Sequence, residues 1–111
     1  MRLPESLSFH VGVIRSGIAN LDFTNANAHG RNVAASLENI RKLIEANDRF
    51  DHSADMLTGA VLRLVDAAAD GFAKSEAADS RRKALIGVRT LEEALSDCRP
   101  SSYAKALGCD W

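Results

Sequence analysis

The sequence predicts an all-α fold, a small antiparallel bundle of about four helices in a single domain spanning residues 1–111. Three observations predict it. Apolar residues recur in steps of three and four along the long segments of the chain. Aromatic residues make up only 5%, so Leu, Ile, Val and Ala must fill the core, and small side chains let helices approach closely. The polar link between the second and third segments is short, as between antiparallel neighbours.

In the first segment Leu7, Val11, Ile14, Ile18 and Leu21 keep to helical steps. Phe9, Val11 and Val13 also alternate with His10 and Gly12, which is a strand signature. Gly12 and Gly17 each weaken a helix by about 1 kcal/mol. The longer stripe favours a helix and leaves a strand as the alternative. A lone strand would need a partner from a second chain.

In "HGRNVAASLENIRKLIEANDRF" Val33, Leu37, Ile40 and Ile44 share a face, and Asn47 and Asp48 mark its end. In "SADMLTGAVLRLVDAAADGF" the stripe is Leu57, Val61, Leu64, Ala68 and Phe72, widened by Leu62 and Val65. Ser53 is the expected N-cap there and Gly71 the expected stop. "SEAADSRRKALIGVRTLEEALSDC" carries the clearest stripe, Ala84, Val88, Leu91, Leu95 and Cys98. Ser75, Glu76 and Asp79 suit the positive end of that helix. Pro100 stops it, having no N–H and disfavouring helical geometry at Arg99. "PSSYAKALG" reads as a short last helix, capped by Ser101 or Ser102 and closed by Gly108.

Composition narrows the function. A chain of 111 residues can bury a core without disulfides or metals. A formal charge of −1 provides no long-range field toward nucleic acid or an acidic membrane. The start "MRLPES" lacks the cationic and apolar regions of a secretory signal, and the run from Val11 to Ile14 is too short to span a bilayer. A cytoplasmic location is expected, with Cys98 and Cys109 reduced and unbridged.

Chemistry finds little support. His10, His29 and His52 have no ligand spacing to one another or to a cysteine, so neither metal nor cofactor is expected. Cys98 continues an apolar stripe at a helix C-terminus, where the dipole raises a thiol pKa, and reads as a buried small hydrophobe. Glu92, Glu93 and Asp97 could serve a small helical metal-dependent nucleotide hydrolase, but no matching acidic pair lies on another helix. Arg89 within reach of Glu92 and Glu93 reads as an ion-paired solvated face. Arg81, Arg82 and Lys83 lie too close to acids for a nucleic-acid patch. No phosphate loop or nucleophile elbow is present. A non-enzymatic protein is expected.

What remains is apolar surface. Ile86 falls on the Thr90, Glu93 and Asp97 side of its helix, away from the Val88 stripe. Leu62 widens another arc, and Tyr103, Leu107 and Trp111 form a small group after Cys98. Contiguous apolar residues mark an interface, and Trp and Tyr are frequent anchors. The competing reading is that Tyr103 and Leu107 only lid the core. Homodimerisation is the commonest use of such a surface in a small helical protein.

In size, helical organisation and sequence character the whole chain resembles the QslA-type quorum-sensing antiactivators. These are small all-helical cytosolic proteins that bind the ligand-binding domain of a LuxR-type transcription activator and occupy its dimerisation surface. The resemblance implies a negative regulator without cofactor. It places the contact surface near Phe23 and along the fourth segment to Cys98, with Arg89, Leu91 and Leu95 as candidates. A phage-type or structural accessory protein is the remaining alternative.

Overall fold

The computed structural model describes residues 3–69 and 74–109, and of residues 74–77 the backbone alone. Five helices succeed one another: α1 (Glu5–Asn20), α2 (Ala26–Leu43), α3 (Asp48–Ala69), α4 (Lys74–Leu95) and α5 (Ser102–Ala106). The described residues form no strand, only one isolated bridge between Ile44 and Pro100. No helix among them is long and apolar enough to cross a membrane. The expected stop at Gly71, the stripe position Phe72 and the capping side chains of Ser75 and Glu76 lie outside what is described.

The first segment is helical from Glu5 to Asn20, with Leu21 extended just beyond it, and burial shows why. Leu7, Val11, Ile14 and Ile18 are all buried, which steps of four and three allow only on one side of a helix. A strand would have put Phe9 and Val11 on the same face. Instead Val11 is buried and Phe9 is 66% exposed.

The long helices pack in a ring: α1 on α2, α2 on α3, α3 on α4, and α4 back on α1. Their stripes merge into one core containing Phe50, Leu57 and Leu64 of α3 and Val88 and Leu91 of α4. The molecule measures 45 × 21 × 20 Å. A helix with its side chains is about 10 Å wide, so the cross-section holds two helices by two. α4 comes close to α3 at Gly87, where a Cβ would meet Leu57 Cδ1 at 3.1 Å.

The connections differ from expectation in informative ways. α3 begins at Asp48, not after Ser53, so "NDRFDH" is mostly its first turn. Asn47 caps it, its Oδ1 accepting from the Phe50 N–H at 2.9 Å. Ser53 is buried inside the helix and donates to the Arg49 carbonyl at 2.9 Å. Ile44 is not the last helical stripe residue but an extended, buried residue beyond α2. Arg41 secures this corner by pairing with Asp51 at 2.6 Å and lying over the Phe50 ring at 5.5 Å.

The turn before α2 is held by side chains. Asp22 Oδ1 accepts from the Thr24 N–H at 2.9 Å and the Thr24 hydroxyl at 2.7 Å, while Asn25 Oδ1 accepts from the Asp22 N–H at 2.7 Å. The end of the chain folds back onto α2. Glu45 N–H donates to Arg99 O at 2.9 Å and Ser101 N–H to Leu43 O at 3.0 Å. Ser101 also caps α5, accepting from Ala104 N–H at 3.1 Å. At the other end of α5, Gly108 takes φ +81°, and the Gly108 and Cys109 N–H groups return to the Lys105 and Ala104 carbonyls at 3.0 and 2.8 Å. That is the Schellman closure its glycine predicts.

Both kinds of turn are open to test. Asn47→Ala should destabilise the protein by about 1 kcal/mol in urea unfolding, whereas Ser53→Ala should change it by less than about 0.5 kcal/mol, because only Asn47 satisfies an otherwise orphaned N–H. Hydrogen bonds from Thr24, side chain first and then backbone, hold the Asp22 carboxyl below the usual aspartate range. The folded chain therefore binds that proton less tightly than the unfolded chain. Its contribution is complete above about pH 3.9 and is lost as pH falls through the folded-state value. The urea midpoint of Asp22→Asn should depend less on pH in that acidic range than that of the parent protein.

Candidate functional site

The outward face of α4 next to its buried stripe carries Arg82, Leu85, Ile86 and Arg89, spaced as neighbours on a helix. With Arg15 of α1 and Glu92 of α4 these residues line a groove of about 780 Å³ between the two helices. Its floor is apolar: Leu85 is half-buried against the core, and Ile86 is 57% exposed. Its rim is cationic.

Each arginine has a different commitment. Arg81 donates to the carbonyls of Ile18 at 2.5 Å, Ala19 at 3.0 Å and Leu21 at 2.8 Å, capping the C-terminus of α1. Arg15 pairs with Glu92 across the groove. Arg82 and Lys83 share Asp79, at 2.8 and 3.1 Å, and those bonds keep the Asp79 carboxyl below its usual range. Arg89 is exposed and pairs with no acid among the described residues. The ion pairing expected between Arg89 and Glu92 does not form, because Glu92 reaches α1 instead.

The residues singled out from the sequence therefore separate. Ile86 and Arg89 meet in the α1–α4 groove. Phe23 is exposed in the α1–α2 turn, and Tyr103 and Leu107 are exposed on and just after α5; none of the three lines that groove. Leu91, Leu95 and Cys98 are a correction. All three belong to the buried core, Leu91 and Leu95 with almost no exposure and Cys98, just beyond α4, with 8%. Trp111 lies outside the described residues. Tyr103 and Leu107 do not lid the core either, because the residue of α5 that packs inward is Ala104.

Cys98 and two of the three acids considered for chemistry, Glu92 and Asp97, are engaged structurally. The Cys98 thiol donates to the Ala94 carbonyl at 3.4 Å, and burial, with the charge of Asp97 second, pushes its pKa up, away from a reactive thiolate. Asp97 pairs with Arg49 of α3. Among the described residues no three His, Cys, Asp or Glu side chains gather as metal ligands would. Nor does any buried side-chain nitrogen or oxygen there lack a partner.

Three further apolar features stand outside the residues singled out as a contact surface. A groove of about 300 Å³ lies between α2 and α3, lined by Gly30, Ala34, Leu37, Thr58, Leu62 and Val65. Leu62, which widens the α3 arc, is the sequence signal for that side. Phe9 and Met56 are also exposed, and both fall between the buried positions of their helices, a signal present in the periodicity.

The division of labour among the arginines is testable. Arg81→Ala should cost about 2 kcal/mol in unfolding free energy, the scale for hydrogen bonds from a charged donor. Arg82→Ala, whose ion pair is solvated, should cost less than about 0.5 kcal/mol. No family model, no curated protein and no solved structure matches this chain.

Proposed function

We propose that this protein acts by binding another protein, as a negative regulator that occupies the dimerisation surface of a LuxR-type transcription activator and so prevents it from binding DNA. The observation that carries the protein-binding reading is Ile86. A large aliphatic side chain stands 57% exposed, with Leu85 beside it and the exposed Arg89 one turn along. Apolar centres rimmed by arginine are typical of protein contact surfaces. The regulator role itself rests on the resemblance to the QslA-type antiactivators.

The role needs no catalytic group and no cofactor, only a stable helical surface that competes with a homodimer interface. Such an interface buries about 1,200–2,000 Å² in total, which the faces of two long helices can supply. An activator held as a monomer cannot span two half-sites, and its dimer is depleted by mass action. In this reading the helices form an antiparallel bundle, the protein is cytoplasmic, and it is itself a homodimer through its exposed apolar residues.

Co-expression with such an activator should give a complex stable to gel filtration, in which the activator no longer retards its DNA site. Full-strength retardation with this protein in excess overturns the proposal.

A further inference from the structure

We infer that the α1–α4 groove receives an acidic amphipathic helix of the partner, with an aliphatic side chain seated on Leu85 and Ile86 and carboxylates facing Arg89 and Arg82. The inference rests on the protein-binding reading above and names the chemistry of the partner at that site.

The balance of charge within the groove supports it. Arg15 and Glu92 neutralise each other. Arg81 is engaged by the carbonyls that end α1. Arg82 and Lys83 share the single carboxylate of Asp79, which leaves one positive charge over. Arg89, with no acid paired to it among the described residues, adds a second. Glu93, one turn past Arg89 but outside the groove lining, offsets part of this, and the chain of formal charge −1 still keeps surplus cations beside its exposed isoleucine. Guanidinium groups in a fork geometry suit carboxylates in particular.

Shape and chemistry choose between kinds of anion. The groove runs along α4 from Ala78 to Glu92, about 21 Å at the helical rise, the length of about four turns of a partner helix. The apolar floor of Leu85 and Ile86 offers nothing to a phosphate backbone, which carries no aliphatic stripe to seat on it. A carboxylate-bearing helix can instead place its apolar stripe on the floor and its acids on the rim, as helix-in-groove recognition requires.

The test uses the full chain and a fluorescently labelled synthetic helix of about 18 residues, with leucine along one stripe and glutamate over the rest. The same peptide with lysine for glutamate, and a duplex DNA of about 20 base pairs, serve as comparators. Fluorescence polarisation should show the glutamate peptide bound, with affinity falling at least about tenfold in Ile86→Asp and in Arg89→Glu, and unchanged in Arg63→Glu on α3. The double variant Arg82→Glu/Arg89→Glu should take the lysine peptide instead, a gain that a merely damaged fold would not produce. Equal binding of the lysine peptide or of the duplex by the parent protein overturns the inference. So does glutamate-peptide binding that ignores both single variants, or no binding at all. The activator's DNA retardation, measured alongside, separates the two ideas. If Ile86→Asp still abolishes it, the groove is wrong and the regulator reading stands. If the groove binds the glutamate peptide but the activator is unaffected, the reverse holds.

Discussion

The contact between the Arg81 guanidinium and the end of α1 fixes where α4 lies along α1. A helix leaves its last carbonyls without internal partners, and they carry the negative end of the dipole. α1 has no basic residue in its last turn, and the chain leaves it through an extended Leu21 with no glycine. Three carbonyls at that end are satisfied by one side chain from α4, 60 to 63 residues away. The resulting register brings Arg15 opposite Glu92 and leaves Ile86 at the surface beside them. The groove is thus a by-product of how α1 is capped.

The end of α2 is closed by the same device. The Ser101 hydroxyl donates to the Lys42 carbonyl at 2.6 Å, and its N–H to the Leu43 carbonyl, 58 to 59 residues apart. The same hydroxyl starts α5, so a single serine ends one helix and begins another. Pro100 suits this clip. It cannot donate, and it lies between two residues whose backbone groups do the bonding. The tail plays two parts: Cys98 and Ala104 pack the core, while Tyr103 and Leu107 face solvent.

Close approach of helices is the second constraint. Gly87 lets α4 lie against Leu57, and a Cβ on Gly30 would sit only 3.2 Å from Val65 on α3. Few aromatics and many small residues imply such distances. They also imply shallow grooves, because small side chains do not fill the space between two cylinders. The groove between α2 and α3, lined in part by Gly30 and Ala34, has that origin.

Periodicity alone determined the helices and the composition of the core. Leu7, Val11, Ile14, Leu57, Val61, Val88 and Leu91 are buried because steps of three and four put them on one side of a helix, a rule that needs no neighbour. Closures made within a few residues were equally legible: Gly108 ends α5 because its left-handed backbone lets the N–H groups there turn back. Asn47, rather than Ser53, starting α3 was within the same local reach but lost among several capping residues. What only tertiary structure decided is the fate of long polar side chains. Arg81, Arg82 and Arg89 read alike as solvated basic positions, yet one caps a distant helix, one shares an aspartate and one stands exposed at a groove. Leu91 and Leu95 were equally open to a surface role until α1 and α3 covered them. A side chain several bonds long chooses among partners that the chain brings together only on folding, and no spacing along the sequence records that choice.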